Sequence, residues 1–158
     1  MEYTDLTADF AKRTLQNLNY VQEQARRGEQ GVYEVTQLWN SLLGLIVLPH
    51  ERAIERLPTT PMTEFWPQGL TTVGREPKSP RDLLKRLRNA VAHFNVDFNA
   101  RTDREIETVT MWNEELDERR RPIPGTKGWV CVITLERLED LARFIADTYI
   151  LEFGSNAA

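Results

Sequence analysis

The chain has 158 residues, 41% of them hydrophobic, which suffices for one proper core. Its formal net charge of -4 excludes a surface that coats a polyanion all over, so any such site has to be a local basic patch. The single cysteine, Cys131, excludes an intrachain disulfide and suits a reducing interior, where a thiol among apolar neighbours is an inert core residue.

The N-terminal run Met1-Glu2-Tyr3-Thr4-Asp5 is acidic and has no apolar stretch, unlike a signal peptide. Thr4 to Arg27 carries Phe10, Leu15, Leu18 and Val21 at helical spacing, with Thr4 or Asp5 as cap and Gly28 as terminator. Val32 to Leu57 predicts a second helix. Its middle, Leu38 to Leu48, is apolar nearly all round and is expected at the centre of the core. Gly44 within it costs about 1 kcal/mol against alanine and implies a close helix crossing. Pro49 should kink or end the helix. The apolar run Leu42 to Pro49 is too short to span a bilayer, and a cytoplasmic protein without a membrane partner is expected.

Pro58 to Ser79 is rich in Pro, Thr and Gly and reads as a long loop (58–79). Ser79 as N-cap, Pro80 at N1 and Asp82 at N3 then start a third helix, expected to run to Val96 with Leu83, Leu84, Leu87, Val91 and Phe94 buried. Ile106 to Trp112 alternates with period two, and Trp129 to Ile133 is a second short β run. Together they predict a β-hairpin insertion (104–133) with a polar, flexible connection. Thr134 caps a last helix through Leu135, Leu138, Leu141, Phe144, Ile145 and Tyr149. The expected fold is mainly α: a bundle of four main helices with an inserted β-hairpin, in one domain spanning 1–158.

The chemistry concentrates in Arg88-Asn89-Ala90-Val91-Ala92-His93. A guanidinium forks onto phosphate oxygens, and an imidazole gives or takes a proton near neutral pH. Asn89 and His93 are four apart and share a helix face, about 6 Å apart along the axis. Arg88 is turned about 140° away from His93, so one helix does not bring the pair together. Two copies facing each other across a symmetry axis would, which predicts a homodimer with a shared cleft.

This six-residue stretch resembles the R-x4-6-H motif of the HEPN superfamily, with Asn in its commonest place after Arg. The wider run Leu87 to Asn95, with Tyr33-Glu34-Val35-Thr36-Gln37-Leu38 and Leu42-Leu43-Gly44-Leu45, resembles a small plasmid-encoded HEPN subfamily. The resemblance implies a helical bundle, usually dimeric, in which two motifs line a cleft. Many members are metal-independent endoribonucleases of toxin–antitoxin, abortive-infection or CRISPR systems. It therefore implies Arg88 and His93 as catalytic residues, Asn89 as the group positioning them, RNA as substrate, and a cognate antitoxin protein as a possible partner. Other members only bind, so a non-catalytic RNA-binding or protein-interaction module is the alternative.

The residues also admit plainer readings. Arg88 has a candidate acid in Asp82, and His93 can be an interface histidine near a helix end. Arg75, Lys78, Arg81, Lys85, Arg86 and Arg88 form a basic run that either tracks an RNA backbone or is a solvated face. Arg81, Lys85, Arg86 and Asn95 are the RNA-binding candidates. Arg119-Arg120-Arg121 is offset by Glu114, Glu115, Asp117 and Glu118 directly before it. Trp39 and Trp129 read as core residues. Two histidines and one cysteine make no zinc set, and there is no Walker motif, so no metal and no cofactor is expected.

Overall fold

The computed structural model describes residues 6–31, 33–47, 51–59, 71–100 and 106–154. The expected caps Thr4 and Asp5, the start of the second helix at Val32, Pro49, His50 and Trp66 lie outside them. Among the described residues the protein is mainly helical, with one small antiparallel sheet. The chain divides into two compact units, residues 1–57 with 139–158 and residues 58–138.

The first unit is helical. Helix α1 spans Leu6–Arg26, and Gly28 follows it at φ 75, the left-handed position that favours glycine after a helix. Its buried stripe is Ala8, Ala11, Thr14, Leu18 and Gln22. Phe10, Leu15 and Val21, expected inside, are half-buried. The stretch expected as the second helix holds two described helices: α2 covers Glu34–Val47 and α3 covers Glu51–Arg56. Leu38, Leu42, Leu45 and Ile46 of α2 are buried as expected, while Trp39 is only half-buried. The last helix, α5 (Leu135–Phe153), starts where Thr134 Oγ1 accepts the Arg137 N–H at 3.4 Å. It buries Leu138, Leu141, Ile145, Tyr149 and Phe153, with Phe144 half-buried. Arg143 ties α5 to α1, donating to Asn19 Oδ1 at 2.7 Å and Gln22 Oε1 at 3.0 Å.

The second unit is a sheet with a helix on it. The described end of the expected 58–79 loop is a strand, β1 (Thr71–Gly74). Helix α4 (Pro80–Ala92) follows, then β2 (Val96–Ala100), β3 (Ile106–Asn113) and β4 (Trp129–Thr134). The predicted hairpin is β3–β4, extended on both sides into an antiparallel sheet of order β1-β4-β3-β2. Val109 faces Ile133 and Met111 faces Cys131 in register. These four side chains and Trp129 form the buried face; α4 packs on β3, and its Leu83, Leu84, Leu87 and Ala90 are buried. The alternation that identified the hairpin is therefore a real two-sided pattern. Burial pushes the Cys131 thiol up to about 12, as suits an inert core residue.

Two expectations for α4 fail at its end. The helix stops at Ala92 instead of Val96, and Phe94, expected in the core, is 90% exposed. His93 is the C-cap. The Phe94 N–H donates to the Val91 carbonyl (3.1 Å) and the Asn95 N–H to the Ala90 carbonyl (2.8 Å), a complete Schellman motif. Its left-handed position is held by Phe94 at φ 55 and not by glycine, so the usual stop signal is missing from the sequence. The connection between β3 and β4 is also more ordered than expected. Asp117 Oδ1 accepts the N–H groups of Arg119 (2.9 Å) and Arg121 (2.8 Å), and Leu116 bridges to Pro122.

Candidate nucleic-acid site

The start of α4 fixes one wall of the site. Ser79 is buried and extended, and its Oγ accepts the Asp82 N–H at 3.2 Å; Pro80 holds the first helical position. Asp82 Oδ2 accepts the Lys78 N–H at 3.0 Å, a variant of the reciprocal capping box. Asp82 also binds Arg86, with Oδ1 3.2 Å from Nε. Burial pushes the Asp82 carboxyl up, but the Arg86 and Lys78 hydrogen bonds and the charges of Arg86 and Arg75 outweigh it. The group is held below the usual carboxylate range. The acid that the sequence offered to Arg88 is thus taken by Arg86.

Arg86 in turn fastens α4 to its surroundings. Its Nη1 donates to the Arg75 carbonyl at 2.5 Å, and its guanidinium lies over the Trp129 ring, 5.6 Å from the centroid. The Arg86 carbonyl accepts Asn113 Nδ2 at 3.0 Å. Arg86 is therefore a structural link between β1, α4 and β4 before it is anything else.

Around the C-terminal end of α4 the second unit carries an open cleft of roughly 560 Å³. Helix α4 lines it with Arg86, Asn89 and His93, which at spacings of three and four share one face. Asn95 follows from the turn. The cleft is also lined by Asn113, Glu114 and Glu115 around the end of β3, with Leu116 and Pro122 beyond. Gly128, Trp129 and Arg75 line it as well. Trp129 is 3% exposed, and its Nε1–H has no acceptor among the described residues. The cleft-lining charges, two arginines and two glutamates, cancel.

Arg88 is half-buried and does not line this cleft. At 100° per residue it falls within about 60° of Arg81 and Lys85, on a stripe about 100° around the helix from the Asn89–His93 face. Among the described residues, neither the Arg88 guanidinium nor the His93 ring has a hydrogen-bond or ion-pair partner. Of the candidates read from the sequence, Arg86, Asn89, His93 and Asn95 come together at the cleft. Arg81, Lys85 and Arg88 form a separate basic stripe beside it. At the hairpin connection Arg121 is committed to Asp117, its Nε 2.8 Å from Oδ2. A backbone hydrogen bond from Arg121, then its side chain, hold the Asp117 carboxyl below the usual range.

The family model described as HEPN pEK499 p136 matches residues 1–155, and the chain belongs to that family. Comparisons with curated proteins and with solved structures find no match.

Sequence reasoning missed Arg75, Asn113, Glu114, Glu115 and Trp129 as neighbours of His93. They arrive through the β1–β4 and β3–β4 pairings, the first of which joins Thr71 to Val132 across the sequence. The one local signal was Asn113-Glu114-Glu115, a polar step directly after the alternating strand.

The turn after His93 carries an expected result of its own. A side chain at φ 55 costs about 1–2 kcal/mol, and Phe94 gains little packing in return because it is 90% exposed. Glycine loses part of that advantage through its freer unfolded chain. Phe94→Gly should raise the thermal midpoint by about 2 °C. An unchanged or lower midpoint in a melt followed by circular dichroism would show that Phe94 packs more than its exposure indicates.

Proposed function

We propose that this HEPN protein is a metal-independent endoribonuclease acting as a homodimer in the cytoplasm, as a toxin or phage-defence effector restrained by a cognate antitoxin. The observation that carries the reading is the Arg88–His93 element at the end of α4, with neither side chain engaged by the described residues, in a chain of a HEPN family. In the dimer, two α4 ends face each other, so that Arg88 of one copy and His93 of the other reach one phosphodiester. The ribose 2′-oxygen forms a bond to phosphorus and the bond to the 5′-oxygen breaks. His93 exchanges the protons of these two oxygens, and Arg88 balances charge on the non-bridging oxygens. Asn89, one turn before His93, positions the pair. The products are a 2′,3′-cyclic phosphate and a 5′-hydroxyl.

The test is incubation of the purified protein with RNA in EDTA. Cleavage with cyclic-phosphate ends supports the reading; strict dependence on added metal contradicts it. One observation favours the second reading, an RNA-binding module without cleavage: in a single chain Arg88 lies off the His93 face. RNA retained intact by a dimer would select it.

A further inference from the structure

The cleft beside His93 has the wrong charge for a phosphate and the right groups for a nucleobase. Glu114 and Glu115 outweigh Arg75, and Arg86 is already paired with Asp82, so a phosphate there would meet two carboxylates with Arg75 as the one lining cation outside an ion pair among the described residues. Two further uncommitted cations, Lys85 and Arg88, lie together on the next face of the helix with no carboxylate paired to them among the described residues. What the cleft offers is amide and carboxylate. The side chains of Asn89 and Asn95 have no partner among the described residues. Asn113 uses its Nδ2 on the Arg86 carbonyl and keeps its Oδ1. Glu114 spends Oε1 on the Gly125 N–H at 3.2 Å. The cleft volume, roughly 560 Å³, lies in the range of small-molecule sites and admits one base with its ribose. The buried, unsatisfied Trp129 N–H lies in its wall. It is the one buried side-chain donor without an acceptor among the described residues of this unit.

We infer that this cleft holds one extruded nucleobase of the RNA substrate and selects bases that carry an exocyclic amino group. This rests on the reading of the protein as one that acts on RNA. The backbone runs along the Lys85–Arg88 stripe, about a quarter-turn of helix away. The base then turns into the cleft past Asn89 and His93. Amides read its edge by paired donor and acceptor, and the carboxylates of Glu114 and Glu115 accept from the amino group. Uracil, which has no amino group, leaves those acceptors unmatched. Asn95, Asn113, Glu114 and Glu115 are accordingly specificity-determining, while Arg88 and His93 act on the sugar-phosphate.

The experiment uses the full chain and a set of short uridine oligonucleotides that differ only at one central base, A, C, G or U. Each is made all-ribo for cleavage and with a central 2′-deoxyribose for binding by fluorescence anisotropy. The account expects A, C or G to be bound roughly tenfold more tightly than U. Glu115→Gln and Asn95→Ala, both at positions whose side chains no described residue engages, should shrink that ratio toward one, whatever they do to binding of the all-uridine strand. Equal binding of all four bases, or a ratio unmoved by both variants, overturns the inference even if the all-ribo strands are cut. Base-selective binding lost in the variants upholds it even if no strand is cut, and then it is the ribonuclease reading that fails.

Discussion

If the protein is the proposed ribonuclease, His93→Ala should lower RNA cleavage by roughly 10²–10⁴-fold, the span of a lost general acid–base group. Arg88→Ala should lower it by roughly 10²–10³-fold, as expected when a donor to developing phosphoryl charge is removed. Folding should be nearly untouched. His93 is exposed, Arg88 is half-buried without a partner among the described residues, and the helix contacts of α4 are made by Leu83, Leu84, Leu87 and Ala90. Far-ultraviolet circular dichroism and the thermal midpoint therefore stay close to wild type while the rate collapses. Arg86→Ala makes the contrast. It breaks the Asp82 pair and the contacts to the Arg75 carbonyl and Trp129, so it lowers stability as well as rate. Near-wild-type cleavage by both His93→Ala and Arg88→Ala would remove the chemical basis of the assignment.

These contrasts follow from how differently the two arginines are placed, and the sequence showed only half of that. Helical periodicity put Asn89 with His93 and turned Arg88 away from them, and the structure has that arrangement. The Ser79-Pro80-Asp82 start was equally legible, because capping is local chemistry. Arg86 looked like one more cation in a basic run. Its role depends on Trp129 and the Arg75 carbonyl, which only long-range pairing brings to it. The end of α4 was misplaced for a related reason. Val91 and Phe94 continue the apolar spacing of the helix, and no glycine announces the left-handed turn. The alternation of Val96, Phe98 and Ala100 in β2 was hidden behind that continuation. Strand β1 is four residues in a Pro- and Gly-rich stretch, and it is a strand because β4 offers it an edge.

Gly74→Ala should be among the most destabilising single-methyl changes in the second unit. Gly74 ends β1 at φ 91, where an L side chain is strained, and a Cβ there would overlap the carbonyl oxygen of Gly128. Neither backbone can yield easily. Gly74 pairs with Trp129, and Gly128 is itself packed close to the Glu115 backbone. Backbone strain alone costs about 1–2 kcal/mol and the overlap adds to it. A loss of about 2 kcal/mol or more is expected, or a fall in thermal midpoint of roughly 4–8 °C. Because Gly128 and Trp129 line the cleft, a folded Gly74→Ala protein should also bind RNA less selectively. A melt indistinguishable from wild type would mean that β1 is not held against β4 as described.

The account turns on two chains contributing different halves of one site, and subunit mixing tests that most directly. Arg88→Ala and His93→Ala are each purified, found inactive, then mixed and allowed to exchange protomers. A heterodimer has one site with both substitutions and one with neither. The account predicts that cleavage, absent from either variant alone, returns in the mixture in proportion to the heterodimer formed. A mixture that exchanges subunits but stays inactive, beside an active wild type, would contradict it.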